Sequence, residues 1–431
     1  MNKYIMNNVK YGDVGITPSL DAVAPARGAA SVRHRPLRVL HVMHSISPVC
    51  GGPVENLWFL LKAAKMAGIE ASVATTNHDG PGRIAAVPLD RFVDVNGTQV
   101  RYFPLQLTFY TVSIPLMRWL WTNVHNYDLV HIHALFSFAP VVAAYCARHR
   151  GIPYVLSPHG VLNVWGRQNR RPLLKRTSIR YIEAPLIRNA ARVQFTSRRE
   201  QEEFTQLGID ASAEVIPLAV SIQSETKALD FSPPDELVSL AGRPTILFLA
   251  RIHPIKNLDM LLRAFAGLIE RQPAAVLLVA GDGEAALVAG LRQLASNLGI
   301  DRHVHWTGFA DKAFKRWLLE RATIFVLPSW SENFGIAAAE AMAAGIPVVV
   351  TRGAGIADIV AANRCGLVTE CTVEALQQAI ESLADDADAR VRMGRAGRET
   401  VREELSLGTY ARRVQRMYLT ATQQRSAGTA A

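Results

Sequence analysis

Short apolar segments alternate with helical segments along this chain of 431 residues. The apolar segments, about four to eight residues long, are rich in β-branched side chains and lack the polar alternation of a half-exposed strand. Such strands are buried on both faces, as in a parallel sheet that is covered by helices on both sides. Because the connecting helices cross in a right-handed sense, the pattern predicts a doubly wound α/β architecture.

This alternation occurs twice. In the first half we predict strands at residues 37–43, 71–76, 100–103, 129–133, 154–157 and 193–196. In the second half we predict them at residues 245–250, 275–280, 304–307, 324–327, 347–350 and 366–369. The sequence therefore predicts two Rossmann-like domains, at residues 36–222 and 244–406, that face a central cleft. A ligand is expected there, at the carboxyl ends of both sheets.

The remaining segments flank or join these domains. Residues 1–35 lack a continuous apolar run and are predicted to form a flexible leader. Residues 223–243 contain Pro233 and Pro234 and are predicted to be the linker. Spaced apolar residues predict a final helix at 407–422, followed by a flexible tail at 423–431.

The composition, with 49% hydrophobic and 19% charged residues, is that of a soluble globular protein. A membrane-spanning helix is disfavoured, because no run of about 18 uninterrupted apolar residues occurs. The cysteines lack Cys-x-x-Cys spacing, so free thiols in a reducing cytoplasm are expected and a metal site is not. They are Cys50, Cys146, Cys365 and Cys371.

Two carboxylates flank a strand-to-helix junction in the second half. The segment at residues 331–340 reads Ser-Glu-Asn-Phe-Gly-Ile-Ala-Ala-Ala-Glu. Glu332 is expected in the turn, and Glu340 about a turn and a half inside the helix. Carboxylates at these places are suited to binding sugar hydroxyls.

The same junction offers an anion site. The backbone N–H groups near Phe334, Gly335 and Ile336 are predicted to be the free donors of a helix N-terminus, where phosphate binds readily. Together with the two carboxylates, they indicate a nucleotide-sugar site.

Two cations follow the first strand of the second half. Arg251 and Lys256 are predicted to project into the cleft, where they can hold a diphosphate. Arginine supplies a forked set of donors and lysine a compact charge. Positive charge there also stabilises a nucleotide diphosphate as it leaves.

Glycines mark two further turns. Gly51 and Gly52 follow the first predicted strand, where a backbone without side chains can approach a ligand closely. Gly283 lies in a turn that reverses the chain, which is its first expected role. A Gly-x-Gly-x-x-Gly pattern follows neither domain's first strand, which disfavours a dehydrogenase.

The net charge of +10 is concentrated in one basic stretch. A solvated helix face, a surface for anionic lipids or an anionic acceptor, and a nucleic-acid patch are all compatible with it. Nucleic acid has the least support, because aromatic residues are not interleaved with the charges. The basic residues are Arg167, Arg170, Arg171, Lys175, Arg176, Arg180, Arg188, Arg192, Arg198 and Arg199.

These motifs resemble those of a known family. The Pro-Ser-x-x-Glu-x-Phe-Gly run that leads into Glu-x7-Glu resembles the signature of retaining glycosyltransferases of the GT-B fold, family 4, also called group 1. The segment at residues 250–257 resembles the family's diphosphate-binding Gly-Arg-x-x-x-x-Lys motif, with Ala250 where glycine is commoner. Residues 158–165 are similar to a subset involved in cell-surface polysaccharide assembly. The resemblance covers roughly residues 37–420.

The resemblance implies roles for these residues. Glu340 is expected to bind the ribose and Glu332 a hydroxyl of the transferred sugar. Gly283 is expected beside the nucleotide base. His159, at a strand end, is expected to orient the donor sugar, and His133 to support the acceptor pocket.

It also implies features outside the donor site. Arg167 and Arg170 would recognise an anionic acceptor if the basic stretch faces the cleft. The final helix would cross back onto the first domain. The leaving diphosphate would be stabilised without a metal ion or cofactor, by Arg251 and Lys256.

The sequence thus predicts transfer of a hexose from a UDP- or GDP-sugar to a glycan or lipid-linked acceptor in polysaccharide biosynthesis. A cytoplasmic location is expected, with peripheral attachment to the inner face of the membrane left open. Two alternatives remain: a nucleotide-sugar epimerase or hydrolase on the same fold, and a basic nucleic-acid-binding protein.

Overall fold

The computed structural model describes residues 35–165, 172–220, 233–240 and 242–428. The predicted leader, apart from Arg35, lies outside these ranges. So do most of the predicted linker and residues 429–431 of the predicted tail.

The described residues form two sheets of eight and six strands. All strand pairs are parallel except β3 with β4, which form an antiparallel edge hairpin. The predicted fold class of two doubly wound Rossmann-like domains is confirmed.

The first sheet has the strand order β3-β4-β2-β1-β5-β6-β7-β8. Its strands are β1 (Arg38–Val42), β2 (Glu70–Thr76), β3 (Phe92–Val95), β4 (Thr98–Phe103), β5 (Leu129–His133), β6 (Tyr154–Ser157), β7 (Arg192–Phe195) and β8 (Ala213–Val215). The helices of this half are α1 (Gly52–Met66), α2 (Ile114–Asn123), α3 (Phe138–His149), α4 (Pro172–Ser178), α5 (Ala184–Arg188) and α6 (Arg198–Thr205), with a π-helical turn at Ile179–Glu183.

The second sheet has the strand order β11-β10-β9-β12-β13-β14. Its strands are β9 (Thr245–Leu249), β10 (Val276–Ala280), β11 (Val304–Gly308), β12 (Ile324–Leu327), β13 (Val348–Thr351) and β14 (Gly366–Thr369). The helices are α7 (Asp235–Val238), α8 (Leu258–Arg271), α9 (Ala285–Asn297), α10 (Lys312–Arg321), α11 (Ile336–Ala344), α12 (Ala357–Asn363), α13 (Val373–Asp385), α14 (Ala387–Glu404) and α15 (Leu407–Gly428).

Strand β9 shows why the apolar runs form buried parallel strands. Its alternate residues enter different cores: Leu247 and Leu249 pack on one face of the sheet, and Ile246 and Phe248 on the other. Each such side chain contributes about 1.5–3 kcal/mol by its burial. A strand with two apolar faces is stable only between two layers of helices, and the structure supplies both.

The last helix, α15, joins the two halves of the chain. Its residues Tyr410, Val414 and Tyr418 are buried against Val39 of β1 and Leu60 of α1 in the first half. The helix continues to Gly428, past the predicted end at residue 422, so the segment predicted as a tail is helical up to that point. Among the described residues, no helix has the length and apolar character needed to cross a bilayer.

Candidate active site

The site is built around the turn between β12 and α11. Gly335 has a φ of 103°, and a Cβ there would lie 3.0 Å from Leu327 and 3.2 Å from Ile356. Only glycine adopts this conformation in this space without strain. The Gly335 carbonyl accepts the N–H groups of Ala338 and Ala339, at 3.0 and 3.2 Å, and so begins helix α11.

This helix start supplies the predicted anion donors through its backbone. The N–H groups that precede the first helical hydrogen bond, including that of Ile336, have no acceptor within the helix. The Phe334 side chain is buried in the second domain, at 2% exposure, so only its backbone is available for binding. The geometry places a compact set of donors between the two glutamates.

Glu332 and Lys256 form an ion pair next to this helix start. The backbone of Glu332 is fixed on both sides, because its N–H donates to Gly353 and its carbonyl accepts from Gly355, each at 2.9 Å. Lys256 ends the 3-10 turn Pro254–Lys256 after β9. The side chains are 16% and 18% exposed, so a predicted sugar-binding carboxylate and a predicted diphosphate-binding cation meet in a sheltered place.

Glu340 pairs with Lys315, a residue that sequence reasoning missed. Lys315 lies on α10 and approaches Glu340 on α11 through helix packing. No local signal identifies it, because the two residues are 25 positions apart and belong to different helices. The pair adds a second cation to the glutamate side of the site.

The predicted glycine turn after β10 packs against the segment that follows β9. A Cβ on Gly283 would lie 2.4 Å from the Ile252 carbonyl oxygen, and one on Gly281 would lie 1.9 Å from that of Ala250. The Ile252 N–H donates to the backbone carbonyl of Asp282 at 2.8 Å. These glycines allow the segments after β9 and β10 to pack closely, so Gly283 has the structural role in the turn that the sequence predicts. Arg251 lies beside them and is exposed.

His159 is the partly exposed end of a row of histidine rings whose other members, His41 and His133, are buried. Its Nε2 lies 3.0 Å from His133 Nδ1, and His133 Nε2 lies 3.0 Å from His41 Nδ1. The other ring nitrogen of His159, Nδ1, lies 3.4 Å from Asn56 Nδ2 of α1. Burial lowers the pKa of His159 to about 4 and that of His41 to about 3. These rings are therefore neutral near pH 7, and each pair shares one proton between a donor and an acceptor.

The structure does not support the prediction that His133 binds the acceptor. It is fully buried, and both ring nitrogens contact other histidines. Its burial, together with its histidine neighbours, holds its pKa well below the usual value. His133 therefore has no exposed surface at which to contact an acceptor, and it packs against His159 instead.

The turn that carries His159 lies against the turn that carries Glu332. An ideal Cβ on Gly160 would lie 2.8 Å from Asn333 Oδ1, so the backbone of Gly160 packs closely against the Asn333 side chain. The Asn333 carbonyl accepts the Ser197 hydroxyl at 2.9 Å, and its side chain donates to Thr196 at 2.8 Å. The structure thereby brings the predicted catalytic residues of both domains to one cleft.

Glu200 supports this contact and was also missed. Its carboxylate accepts the N–H groups of Gly160, at 2.6 Å, and Thr196, at 2.8 Å. Burial raises the pKa of Glu200 to about 7. The signal was present in the sequence, since Ser197 and Glu200 have the spacing of a helix capping box.

The glycine loop of the first domain, at Gly51 and Gly52, leads into the helix that contacts His159. Gly51 has a φ of 66°, and no atom lies within 4 Å of a Cβ built on Gly51 or Gly52. Helix α1 begins at Gly52 and carries Asn56 to its contact with His159. The loop is thus open on its side-chain face, as expected of a backbone that approaches a ligand.

The predicted acceptor residues Arg167 and Arg170 lie outside the described residues. The segment just before them contacts the second domain, because the rings of Trp165 and His253 meet edge to face with centroids 5.5 Å apart. His253 belongs to the turn that carries Arg251 and Lys256.

Comparisons with known proteins agree with this arrangement. The family model described as Glycosyltransferase Family 4 matches residues 50–224, and that described as Glycosyl transferases group 1 matches residues 234–400. The chain is 28% identical over 403 residues to a D-inositol 3-phosphate glycosyltransferase of Streptomyces scabiei, covering 86% of this chain and 88% of that protein. It is 34% identical over 182 residues to a GDP-mannose-dependent alpha-(1-6)-phosphatidylinositol monomannoside mannosyltransferase of Mycobacterium tuberculosis, covering 40% and 46%.

Solved structures share the fold. HepE of Anabaena, in complex with UDP and glucose, has a TM-score of 0.69 at 21% identity, covering 89% of this chain and all of that one. Sucrose-phosphate synthase of Thermosynechococcus elongatus has a TM-score of 0.70 at 20% identity, covering 91% and 100%. The fold and site thus define a glycosyltransferase of the two-domain GT-B class. Within that class, the chain belongs to the group 1 glycosyltransferases, family 4.

Proposed function

We propose that this glycosyltransferase moves a hexose, with retention of anomeric configuration, from a UDP- or GDP-sugar to a glycan or lipid-linked acceptor in cell-surface polysaccharide biosynthesis. The observation that carries the proposal is the position of Glu332 and Glu340. They flank the N-terminus of α11, each beside a lysine, and Glu332 lies in the turn that meets His159–Gly160.

The donor would lie in the site with its nucleotide at Glu340 and its sugar at Glu332. Glu340 would bind the ribose hydroxyls, with Lys315 fixing its carboxylate. The diphosphate would lie over the N–H groups at the start of α11, within reach of Arg251 and Lys256. Glu332 would then accept a hydrogen bond from the transferred sugar, while its ion pair with Lys256 joins sugar recognition to phosphate recognition.

The chemical step would depend on charge that develops on the leaving diphosphate. Arg251, Lys256 and the helix donors would stabilise that charge and need no metal ion for this purpose. In the retaining reaction proposed, the leaving phosphate takes the proton of the acceptor hydroxyl as the new bond forms on the same face of the sugar. His159, neutral near pH 7, would hydrogen-bond the sugar and fix its orientation.

An anionic membrane surface is proposed as the place where the acceptor is met, from the cytoplasmic side. Helix α4 and the π-helical turn after it, residues 172–183, are called the α4 region here. Leu173 and Tyr181 are 78% and 68% exposed in this region, where Arg176 and Arg180 are also exposed. Apolar side chains among basic ones are suited to a bilayer interface that carries anionic lipids. Arg199, at the end of the basic stretch, instead links the two domains, because its side chain donates to the Arg352 carbonyl.

Vesicle sedimentation tests this surface. Vesicles that contain phosphatidylglycerol should bind the protein more tightly than pure phosphatidylcholine vesicles, and Leu173→Glu should weaken that binding. Val391→Glu is the control, because Val391 is 63% exposed on α14, away from this region. Equal binding by Leu173→Glu and Val391→Glu would remove the α4 region from the proposal.

The activity test measures nucleotide release from UDP- and GDP-sugars with and without lipid-linked saccharide acceptors. The proposal expects release that depends on the acceptor and a product whose anomeric coupling by NMR matches that of the donor. Release without any acceptor would indicate a hydrolase, and an isomerised donor an epimerase. A product of opposite configuration would contradict retention.

A further inference from the structure

Three side chains that can ligate a metal meet on the loops after β1 and β2. His44 follows β1, His78 follows β2, and Cys50 ends the 3-10 turn just before Gly51. One ring nitrogen of each histidine and the Cys50 sulfur all lie within 4.8 Å of one another. Cys50 is a free, half-buried thiol.

The two histidines have unused ring atoms in this cluster. Nδ1 of His44 and Nδ1 of His78 are buried and have no hydrogen-bond partner among the described residues. A buried polar atom without a partner costs free energy, and such atoms are uncommon unless a water or an ion satisfies them. Two of them beside one thiol indicate a shared ligand.

The backbone holds the loops in place for such a ligand. The Thr76 hydroxyl donates to the His44 carbonyl at 2.5 Å, and the Ser45 hydroxyl donates to the His78 carbonyl at 2.7 Å. The ring centroids of His44 and His78 are 6.0 Å apart. These bonds join the two loops independently of Cys50, so the cluster is set by the fold and not by one flexible side chain.

A second histidine cluster has similar spacing but fewer unpartnered ring nitrogens. His41, His131 and His133 also place their ring atoms within 4.8 Å of one another. There, however, His133 bonds to its neighbouring rings, and His131 contacts Tyr418 at 2.7 Å and Ser157 at 2.8 Å. Of these three histidines only His41 has a buried ring nitrogen, Nε2, without a partner among the described residues, and no thiol lies in their cluster.

We propose that His44, Cys50 and His78 bind a zinc ion that fixes the glycine loop. Zinc favours imidazole and thiolate ligands, with bonds of about 2.0–2.1 Å to nitrogen and about 2.3 Å to sulfur. A tetrahedral ion with such bonds spaces its ligands by roughly 3.3–3.7 Å, which small side-chain rotations provide here. The thiol loses its proton on binding, and water takes the fourth position.

The role of this ion is structural. It would link Cys50, and therefore Gly51, to the loop after β2. The transfer step proposed above needs nothing from it. No sequence pattern indicates the site, because the three residues are separated by 5 and 27 intervening positions and match no zinc motif.

Cobalt substitution tests the site directly. The full chain, stripped of metal with a chelator, is titrated with Co²⁺ and followed by absorption spectroscopy. The proposal expects one equivalent to produce a thiolate-to-cobalt charge-transfer band with the visible bands of a tetrahedral centre. Zn²⁺ should displace it. Failure of wild-type protein to develop a charge-transfer band would overturn the proposal.

Variants locate the site. Cys50→Ser should lose the charge-transfer band, and His78→Gln should bind Co²⁺ at least about tenfold more weakly, since even outer-shell changes cost that much. Cys371→Ser is the control, because Cys371 is also half-buried and free but lies in the second domain. A band that persists in Cys50→Ser, or is lost in Cys371→Ser, would place the metal elsewhere.

A measurement on wild-type protein covers the case of variants that fail to fold. Alkylation of Cys50, followed by mass spectrometry, should slow at least about tenfold when one equivalent of Zn²⁺ is present, whereas alkylation of Cys371 should not change. Equal alkylation of Cys50 with and without zinc would contradict the proposal.

Discussion

Single residues at the start of α11 and the end of β9 determine what this site can bind. Two glutamates, each held by a lysine, present carboxylates on either side of a helix N-terminus. Each ion pair holds its carboxylate in one place, from which it can accept hydrogen bonds from sugar hydroxyls. In the proposed function, Lys256 would also serve the donor diphosphate, whereas Lys315 would only fix Glu340.

Arg251→Ala tests the role of the exposed cation. Turnover should fall by about 10²–10³, the range found when one donor to a developing oxyanion is removed, while the affinity for the donor falls much less. The physical reason is that charge on the leaving phosphate is largest in the transition state. Steady-state kcat and KM measure the two effects separately.

Arg243→Ala is the matched control for Arg251→Ala. Arg243 is a partly exposed arginine before the same strand, and it donates to the Ala274 carbonyl at 2.7 Å, at the opposite end of β9. Its loss should leave kcat nearly unchanged. If Arg251→Ala behaves like Arg243→Ala, the diphosphate role of Arg251 is wrong.

At the scale of secondary structure, helix α11 depends on Gly335 for the turn from which it begins. Gly335→Ala should destabilise the protein by about 1–3 kcal/mol, because the backbone conformation is strained for alanine and its Cβ would crowd Leu327 and Ile356. Urea unfolding measures this loss of free energy.

Gly290→Ala is the element-scale control. Gly290 lies inside α9, where a Cβ meets no atom within 4 Å, so this change should stabilise the helix by about 0.5–1 kcal/mol. If Gly335→Ala is as stable as the wild type, the turn accommodates a Cβ at residue 335, and the requirement for glycine there is wrong.

For the whole molecule, the buried histidines predict how stability depends on pH. Burial lowers the pKa of His41 to about 3 and that of His159 to about 4, and holds those of His131 and His133 well below 6.5. The unfolded chain therefore binds protons below about pH 6.5 that the folded chain does not. Each such proton removes up to about 1.4 kcal/mol of unfolding free energy per pH unit as the pH falls from 6.5 towards 4.

Two carboxyls oppose this trend. Burial raises the pKa values of Glu183 and Glu200 to about 7, so these groups favour the folded state as the pH falls from 7 to 4.5. Four histidines outweigh two glutamates, and unfolding in urea should show stability falling between pH 6.5 and 5. Replacing buried His131 with Asn should reduce the slope, whereas exposed His125→Asn should not. Stability that rises over this range would contradict the account.

The sequence predicts the strands well because each is an apolar run between helices. It misses β3 and β8, the two edge strands of the first sheet, since none of their residues is fully buried. The glutamates, Arg251 and Lys256 are predictable because they lie in short segments at strand ends. Asn56 and Lys315 are not, because packing between distant helices brings them to the site. The histidine row was likewise hidden, since it joins three strands that only the folded sheet places side by side.

The most direct test of the account is whether a nucleotide diphosphate binds at Glu340. Thermal unfolding would be measured with UDP, GDP, ADP and NAD, each at about a hundred times a typical dissociation constant, which stabilises a binding protein by about 2.7 kcal/mol. The account predicts a shift with UDP or GDP alone. That shift should be lost in Glu340→Ala and retained in Glu320→Ala, whose carboxylate is exposed on α10. A shift with NAD, no shift with any of the four, or an unchanged shift in Glu340→Ala would contradict it.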